Sequence, residues 1–386
     1  MDDAIRVQVL KGAVVPEPLD GTLLDALVEV QATESAGSRG GFQLRFRLDK
    51  GGPVERELHD GGFEPPARVL LLAVVAGRTQ ILMDGVIARH DVTVSSTPGA
   101  STLSITGSDV SQMMDLLDLT GIPLPMPAEA QVALLLAKYA IYGMVPLVIP
   151  SPLLFCPNPL ERIPVQQGTD FAHISALANA VGYVFYVQPG PSPGTNTAYW
   201  GPEIRVGEPQ PALTVNMDSA STVPSLSISF DGIRKTQYVG WIFPQQLKVP
   251  IPIPVPDVTP LSPPLGPRYI PPRGIKQLNR AKAPNQDDAT ARRSPAEAIM
   301  LALARATQGS HVVTASGQVD VLRYGGLLQA RHLVGLRGAG HLYDGHWFVR
   351  SVSTTLARGK ITQSFSLDRN AFEPWSDTLP INSPEI

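Results

Sequence analysis

The sequence predicts a β-dominated α+β fold, in which two related β-barrels follow one another along the chain with a helical layer between them. Three observations lead to this prediction. Proline makes up 38 of the 386 residues, about twice its usual share of ~5%, and proline interrupts long helices. Short strand patterns separated by close turn signals occupy both ends of the chain. One strand-and-turn pattern occurs twice.

Residues 1–107 are predicted to form the first barrel. Phe42 to Leu48 alternates apolar and polar residues, as a half-buried strand does. Arg68 to Ala76 is continuously apolar, which is typical of a strand covered on both faces. We predict a hairpin turn at Asp84-Gly85, because Asp-Gly is a strong hairpin signal. The run of strands ends near Gly107.

Residues 108–210 are predicted to be a helical and mixed α/β connecting region. Ser108 or Asp109 is a candidate N-cap for a short helix from Val110 to Leu119, since a short polar side chain there can accept a hydrogen bond from the first turn. Phe171 to Val181 carries an apolar stripe at helical spacing. Gly182 is the expected helix stop, and an aromatic strand follows it.

Residues 211–374 are predicted to form the second barrel, followed by a tail at 375–386. This unit contains a proline-rich insertion at 244–292 and a helix at 295–307. Ser294 begins that helix in the motif Ser-Pro-Ala-Glu, which places serine at the N-cap, proline at the first position and glutamate where a capping box needs it.

The repeated pattern is Leu-x-Asp-Gly, followed by a strand that ends at an arginine. It occurs around Asp84-Gly85 and again around Asp344-Gly345. In both places a further hairpin leads to a polar segment, which is Gly107-Ser108-Asp109 in the first copy. Asp-Gly turns are common, so chance similarity competes with the interpretation as two related barrels.

Several function classes lack their usual sequence features. The net charge is −3, whereas nucleic-acid binding usually requires a basic excess. A single cysteine, Cys156, excludes an intrachain disulfide and a cysteine-built zinc site. The longest apolar stretch is interrupted by lysine and proline, so it falls short of the roughly 18 residues of a membrane span. Catalytic and phosphate-binding motifs are missing. We therefore expect no cofactor, metal, nucleic acid or membrane partner, and no enzymatic activity.

Four stretches of the sequence, in order, carry a resemblance to a known family. They are Phe42 to Leu48 with the later ILMDGVIARHDV, then LSITGSDVSQMMDLL, then TDFAHISALANAVGYVFYV, and finally LVGLRGAGHLYDGHWFVRSVSTTLARGKITQSFSLDRNAFEP. Together they resemble the late control protein D family. This family comprises the baseplate hub proteins of contractile phage tails and the hub portion of VgrG-like spike proteins in contractile injection systems.

The resemblance implies a structural role. Such hubs are homotrimers, and each subunit contributes two tube-like barrels to a ring of six. The ring joins a spike, expected here as a separate protein, to the hexameric tail tube or a tube-initiator protein, beside the baseplate wedge proteins. Assembly is expected in the bacterial cytoplasm, within a phage virion or injection particle. The residues expected at structural turns are Asp84, Gly85, Gly107, Asp109, Asp344 and Gly345.

The proline-rich insertion departs from a plain two-barrel hub. Pro244 to Pro272 contains eleven prolines in 29 residues. We expect polyproline II conformation there and no regular ladder pairing, because alternating prolines lack the donors that a ladder needs. The segment is interpreted either as a surface insertion or as an extended arm that binds a neighbouring subunit, the spike or the wedge. The candidate arm residues are Pro250, Ile251, Ile253, Val255 and Pro256.

Two other functions compete with the hub. A tail-associated cell-wall hydrolase would need a carboxylate pair or a zinc site, and no convincing spacing for either is found. A receptor-binding protein usually carries repeats and exposed aromatic patches, whereas aromatic residues make up only 6% of this chain. The hub remains the prediction that accounts for the order of the motifs.

Overall fold

A computed structural model describes residues 5–75, 77–97, 99–151, 165–242, 251–256, 258, 262–277, 302–303, 305–307, 309–357 and 360–376. Antiparallel β-structure dominates these residues, and most of it belongs to one 13-stranded sheet. The helices are few and short. The prediction of a β-dominated chain is confirmed.

The first unit consists of seven strands and two short helices. The strands are β1 (Ile5–Gly12), β2 (Glu17–Pro18), β3 (Leu27–Ser35), β4 (Gly41–Arg47), β5 (Arg68–Val75), β6 (Arg78–Thr93) and β7 (Thr102–Asp109). The helices are α1 (Gly21–Ala26) and α2 (Pro53–His59). Asp109 caps a 3₁₀ helix, Val110–Asp115, by accepting a hydrogen bond from the Ser111 amide. This helix is shorter than the predicted segment from Val110 to Leu119.

The connecting region forms a second, smaller core. Its elements are α3 (Ala128–Ala137), a 3₁₀ turn (Ala140–Tyr142), β8 (Met144–Val148), α4 (Asp170–Val181), β9 (Val184–Pro189) and β10 (Asn196–Gly201). The three strands pair in the order β8-β10-β9. Helix α4 ends at Gly182, whose φ is +73°, a left-handed conformation that glycine adopts without strain. The predicted helix and its stop are confirmed.

The second unit contains the remaining strands and a few short helical segments. The strands are β11 (Gln210–Thr214), β12 (Ser225–Phe230), β13 (Thr236–Ile242), β14 (Ile251–Val255), β15 (Arg268–Tyr269), β16 (Gly274–Gln277), β17 (Val313–Asp320), β18 (Leu333–Arg337), β19 (Gly345–Ala357), β20 (Lys360–Arg369) and β21 (Ala371–Phe372). The short helices are a 3₁₀ turn (Asp218–Ala220) and α5 (Val321–Tyr324). Residues 302, 303, 305–307 and 309 are also helical, whereas the predicted start of that helix lies outside the described residues.

Both units use the same strand order. The first pairs its strands as β3-β4-β7-β6-β5, and the second as β12-β17-β20-β19-β18. Every pairing within these two sets is antiparallel. The outermost strand differs, since β1 runs antiparallel to β5 whereas β11 runs parallel to β18. The two units therefore share a topology, but the two Asp-Gly pairs of the sequence repeat do not occupy equivalent positions in it, because Asp84 and Gly85 lie within β6 whereas Gly345 begins β19. Among the described residues, the pairings form an open path and close neither unit into a barrel.

Strands β3 and β19 join the two units into one sheet. They pair antiparallel over seven residues each, from Ser351 opposite Ser35 to Ala357 opposite Glu29. The core face of this joint is buried, including Val30 and Leu356. A single hydrophobic cluster extends from the first unit into the second. The joint thus belongs to the core.

The predicted hairpin at Asp84-Gly85 is wrong. Strand β6 continues through both residues, with Asp84 opposite Leu70 and Gly85 opposite Val69. Glycine is needed at position 85 for close packing, because a Cβ atom there would lie 2.3 Å from the Ser108 carbonyl oxygen. Gly107 is also expected at a turn, but it lies within β7. Glycine is needed there for close packing as well, because a Cβ atom would lie 2.2 Å from the Val86 carbonyl oxygen.

The expectation that the proline-rich segment forms no ladder is also wrong for the described part. Strand β14 pairs antiparallel with β13, in the register of Ile253 opposite Gly240. It lies at the edge of a three-stranded sheet of order β14-β13-β16. In an antiparallel ladder successive residues bond alternately to the two sides. Pro252 and Pro254 alternate with the bonded residues, so their missing N–H groups fall on the open edge.

Replacing Gly85 by alanine should destabilise the chain, because the new methyl group would collide with the Ser108 backbone and, at 2.9 Å, with the Phe42 ring. Overpacking of this kind costs about 1–3 kcal/mol. Urea unfolding followed by circular dichroism measures the change. Gly21→Ala is the matched control, since nothing lies within 4 Å of its Cβ position. Equal free energies of unfolding for the two variants would contradict this explanation.

Candidate assembly surfaces and the networks that support them

Asp84 is the centre of a buried network that links the first unit to the connecting region. Its carboxylate accepts hydrogen bonds from Arg68 Nε at 2.8 Å, Arg68 Nη2 at 2.6 Å and Asn196 Nδ2 at 2.8 Å. Neither charged side chain is more than 4% exposed. The Arg68 guanidinium also donates to three backbone carbonyl oxygens, those of Val14, Tyr142 and Gly194. Asp84 therefore positions strand β10 and the turn before β8 against β5 and β6.

A second buried network surrounds Asp368, near the end of β20. Its carboxylate accepts from Arg205, and Arg350 Nη1 lies 3.4 Å from its other oxygen. Arg205 also donates twice to Glu203, at 3.0 and 3.1 Å. The guanidinium of Arg205 lies over the Phe348 ring at 4.1 Å. The last part of the connecting region is thereby held against the second unit.

His311 belongs to this second network as a neutral acceptor. Arg205 Nη1 lies 3.0 Å from His311 Nδ1, so that nitrogen accepts the hydrogen bond. Burial, together with the positive charges of Arg205 and Arg350, holds the pKa of His311 well below its usual value. The imidazole is therefore uncharged in the folded chain at neutral pH.

The remaining predicted turn residues have local structural roles. Asp109 accepts hydrogen bonds from the amides of Ser111 at 2.9 Å and Gly40 at 2.7 Å, and burial raises its pKa. Asp344 accepts from the Ala339 amide at 2.8 Å and directly precedes β19. Gly345 begins β19 with φ at +120°, so the second Asp-Gly pair is at a turn.

The six predicted turn residues do not form one site. Gly85 lies opposite Asp109 and Gly107 lies opposite Ile87, so the residues of the first unit are neighbours across β6 and β7. Asp344 and Gly345 lie at the start of β19 in the other unit. They are held by Arg369, which donates to the Asp344 carbonyl oxygen at 2.9 Å. Burial lowers the pKa of Arg369 to about 10.

The candidate arm is partly packed against its own chain. Val255 is 3% exposed and contacts the cluster of Ala302 and Ala306. Ile251 is 37% exposed and Pro256 is exposed, whereas Pro250 lies outside the described residues. Val255 is therefore unavailable to a partner, whereas Ile251 and Pro256, at the two ends of the described segment, are exposed.

Two strand edges present surface that could bind another chain. Strand β12 lies at one end of the sheet and exposes Phe230, which is 46% accessible. The last part of β6 pairs with β7 on one side only in the described chain. It exposes Val92, and the following Val94 is 80% accessible. Sequence reasoning missed the second edge, because a hairpin at Asp84-Gly85 would have ended the strand earlier.

Two other kinds of site are absent from the described part of the chain. The described residues contain no group of three or more His, Cys, Asp or Glu side chains that could hold a metal ion. Within the same residues, no helix has the length and apolar character needed to cross a membrane. An open groove of about 320 Å³ lies between the units and the connecting region, and its lining includes Glu34, Gln188 and Arg331.

Solved structures that share this fold include tail proteins and a chain of a PdpA–VgrG complex. A tail protein of Neisseria meningitidis matches 95% of this chain and 97% of its own, with a TM-score of 0.58 and 14% identity. The 43 kDa tail protein of prophage MuSo2 from Shewanella oneidensis matches 95% and 100%, with a TM-score of 0.56 and 12% identity. A chain of the Francisella PdpA–VgrG complex matches 98% of this chain and 54% of its own, with a TM-score of 0.54 and 9% identity.

The resemblance to tail and VgrG-like proteins is confirmed by these matches at the level of the fold. No family model matches the sequence, and no curated protein matches it. At 9–14% identity the similarity establishes a shared fold, and function is argued from it separately.

Asp84→Asn should strongly destabilise the chain, because it leaves the Arg68 charge buried without a counter-charge. Breaking a buried ion pair in this way costs about 3–5 kcal/mol. Thermal and urea unfolding measure the loss. Asp49→Asn is the control, since the Arg47–Asp49 pair is 46% exposed on both sides and such pairs contribute at most about 1 kcal/mol. Similar losses for both variants would contradict the structural role of Asp84.

His311 should make folding sensitive to acid. Its folded pKa lies below the unfolded value of about 6.5, so the unfolded chain binds the proton first. The contribution of His311 to the free energy of unfolding is therefore fully present above about pH 6.5, and it is lost as the pH falls towards the folded pKa. Melting temperatures between pH 7.5 and 5.5 should fall more steeply for the wild type than for His311→Gln. Parallel pH profiles would show that His311 is not responsible.

Proposed function

We propose that this chain is the structural hub of a contractile tail or injection-system baseplate. In this role it is a homotrimer that joins a separate spike protein to the hexameric inner tube. The observation that carries the proposal is the repeated strand order β3-β4-β7-β6-β5 and β12-β17-β20-β19-β18, within a fold shared almost end to end with tail proteins.

Two similar units in one chain offer a physical solution to a symmetry mismatch. Three subunits supply six similar units, which can face a hexameric tube on one side, while the threefold arrangement faces the spike on the other. We propose that each unit completes a tube-like barrel in this ring, with residues 1–107 as the first, 211–374 as the second and 108–210 as the connecting layer. Closed rings leave no edge strand exposed.

The partners follow from the same proposal. They are two further copies of this chain, the spike, the tube or its initiator, and the wedge proteins of the baseplate. The exposed end of β14, with Ile251, is proposed to contact one of these partners as an arm. Assembly would take place in the bacterial cytoplasm, and the product would be part of a phage virion or injection particle. The function lies in binding surfaces and involves no catalysis.

Measurement of the mass in solution, together with electron microscopy, tests the hub. We expect a particle of three times 41.3 kDa, forming a ring with a central channel that binds the spike on one face and the tube on the other. A chain that remains monomeric in the presence of both proteins would overturn the proposal. Peptidoglycan degradation and binding to whole cells are measured on the same sample. Either activity without ring formation would favour a hydrolase or a receptor-binding protein instead.

A further inference from the structure

The joint within the chain provides a template for the joint between chains. In the repeated strand order β12 corresponds to β3, and β6 corresponds to β19. Within the chain, β3 of the first unit pairs with the last part of β19 of the second. The corresponding strands, β12 and β6, are separated by other strands in the sheet of one chain and do not pair with each other there. We infer that β12 of one copy pairs with the last part of β6 of the next copy.

The two strands offer the required edges. Strand β12 pairs with β17 on one side and ends the sheet on the other. Strand β6 pairs with β5 only as far as Val86, and beyond Arg89 it pairs with β7 alone among the described residues. Over the corresponding stretch, β19 pairs with β20 on one side and with β3 on the other. One edge of β6 thus lacks the partner that β19 has.

Shared bulges set the alignment of the long strands. Against its hairpin partner, β6 has a register shift between Ile87 and Arg89, and β19 has one between Val349 and Ser351. Arg89 therefore corresponds to Ser351. Counting four residues onward, Thr93 corresponds to Thr355.

The edge strands align through the ladder behind them. Thr106, opposite Arg89, also faces Gln43, which faces Gln31 in β3. By the same route, Ser366, opposite Ser351, leads through Ser316 to Ser227 in β12. The pairings that define this second route are given by the registers of β20 with β19, of β17 with β20 and of β12 with β17.

The alignment transfers the register of the inner joint to the outer one. Gln31 faces Thr355 within the chain, so Ser227 is expected to face Thr93 of the neighbouring copy. The adjacent pairs then follow because the strands are antiparallel. They are Ile228 with Val92, Leu226 with Val94, and Ser229 with Asp91.

The side chains in this register match on the core face of the proposed joint. Ile228 and Leu226 face Val92 and Val94, so apolar residues meet apolar residues. Val92 is 45% and Val94 80% exposed in the single chain. Contact of these apolar side chains with water is unfavourable, and burial against a partner removes it. Their counterparts in the inner joint, Thr354 and Leu356, are 4% and 3% exposed.

The opposite face of the joint is polar in both cases. In the inner joint, Gln31 and Thr33 lie within hydrogen-bond distance of Ser353, at 3.0 and 2.9 Å. At the proposed joint this face carries serine, threonine and aspartate from the two strands. The alternation of apolar and polar pairs thus has the same phase in both joints, and a shift of one residue would reverse it.

The interface uses two different surfaces, so each copy gives one edge and receives another. Head-to-tail contacts of this type generate a ring when the rotation closes. This inference rests on the proposed hub, in which three such contacts would alternate with three inner joints. The neighbour is a second copy of this chain, because the last part of β6 offers β12 the same kind of strand edge that the last part of β19 offers β3 within the chain.

A designed disulfide tests the register directly. In a Cys156→Ala background, Ile228→Cys with Val92→Cys should crosslink the copies under mild oxidation into covalent trimers on a denaturing gel. The Cα atoms of directly facing residues in antiparallel strands lie about 4.5–5.5 Å apart, which is within the roughly 4.4–6.8 Å between the Cα atoms of a disulfide. The matched control is Ile228→Cys with Thr93→Cys, whose side chains point to opposite faces. Crosslinking of the control as efficient as that of the test pair would overturn the register.

A charge exchange tests the interface without a covalent bond. Val94→Glu should convert trimers to monomers at concentrations where the wild type is fully assembled, because it buries a carboxylate in an apolar joint. Adding Leu226→Lys should restore assembly by facing the carboxylate with an ammonium group. Val15→Glu is the control, since Val15 is 78% exposed and lies outside the proposed joint. An unchanged melting curve of the monomer confirms folding.

The outcomes separate this inference from the proposed function. A trimeric ring that forms no Ile228–Val92 crosslink and tolerates Val94→Glu would overturn the strand pairing and leave the hub intact. A wild-type chain that stays monomeric even with spike and tube would overturn both. Crosslinked trimers, together with rescue by the charge pair, would establish the pairing.

Discussion

The structure depends on one constraint, which is that backbone groups of strands buried in the core must be paired. An unpaired N–H or C=O group that is buried away from water costs as much as a lost hydrogen bond. Strands β3 and β19 meet this demand for each other and thereby turn two units into one sheet. The hydrophobic cluster that spans both units is possible only because this joint brings their inner faces together.

Buried charges hold the connecting region in place relative to that sheet. The hydrogen bonds of Asp84 with Arg68 and with Asn196 Nδ2 form only when β5, β6 and β10 are all in position. Asp368 and Arg205 place the same demand on the second unit. Such pairs contribute little net stability but penalise any arrangement that separates the partners. They therefore specify one orientation of the connecting layer, which a purely apolar contact would leave less defined.

The same reasoning explains which sequence predictions failed. Asp84-Gly85 carries a strong local turn signal, yet the partners of Asp84 lie 16 and 112 residues away, and Gly85 is small because Ser108 approaches it. Pro252 and Pro254 exclude a central strand, and the sequence does not reveal that β14 lies at an edge. Predictions that rested on neighbouring residues succeeded, as with the Asp109 cap and the end of α4 at Gly182.

The sequence by itself determined the β-dominated class, strands β4 and β5 of the first unit and the helix ending at Gly182. These depend on alternation, capping and backbone preference, which act over a few residues. Only the tertiary structure decided that the two units share a strand order, that β3 joins β19, and that β6 and β12 have open edges among the described residues. Strand pairing is a contact between segments hundreds of residues apart, and local sequence preferences do not specify which edges will meet.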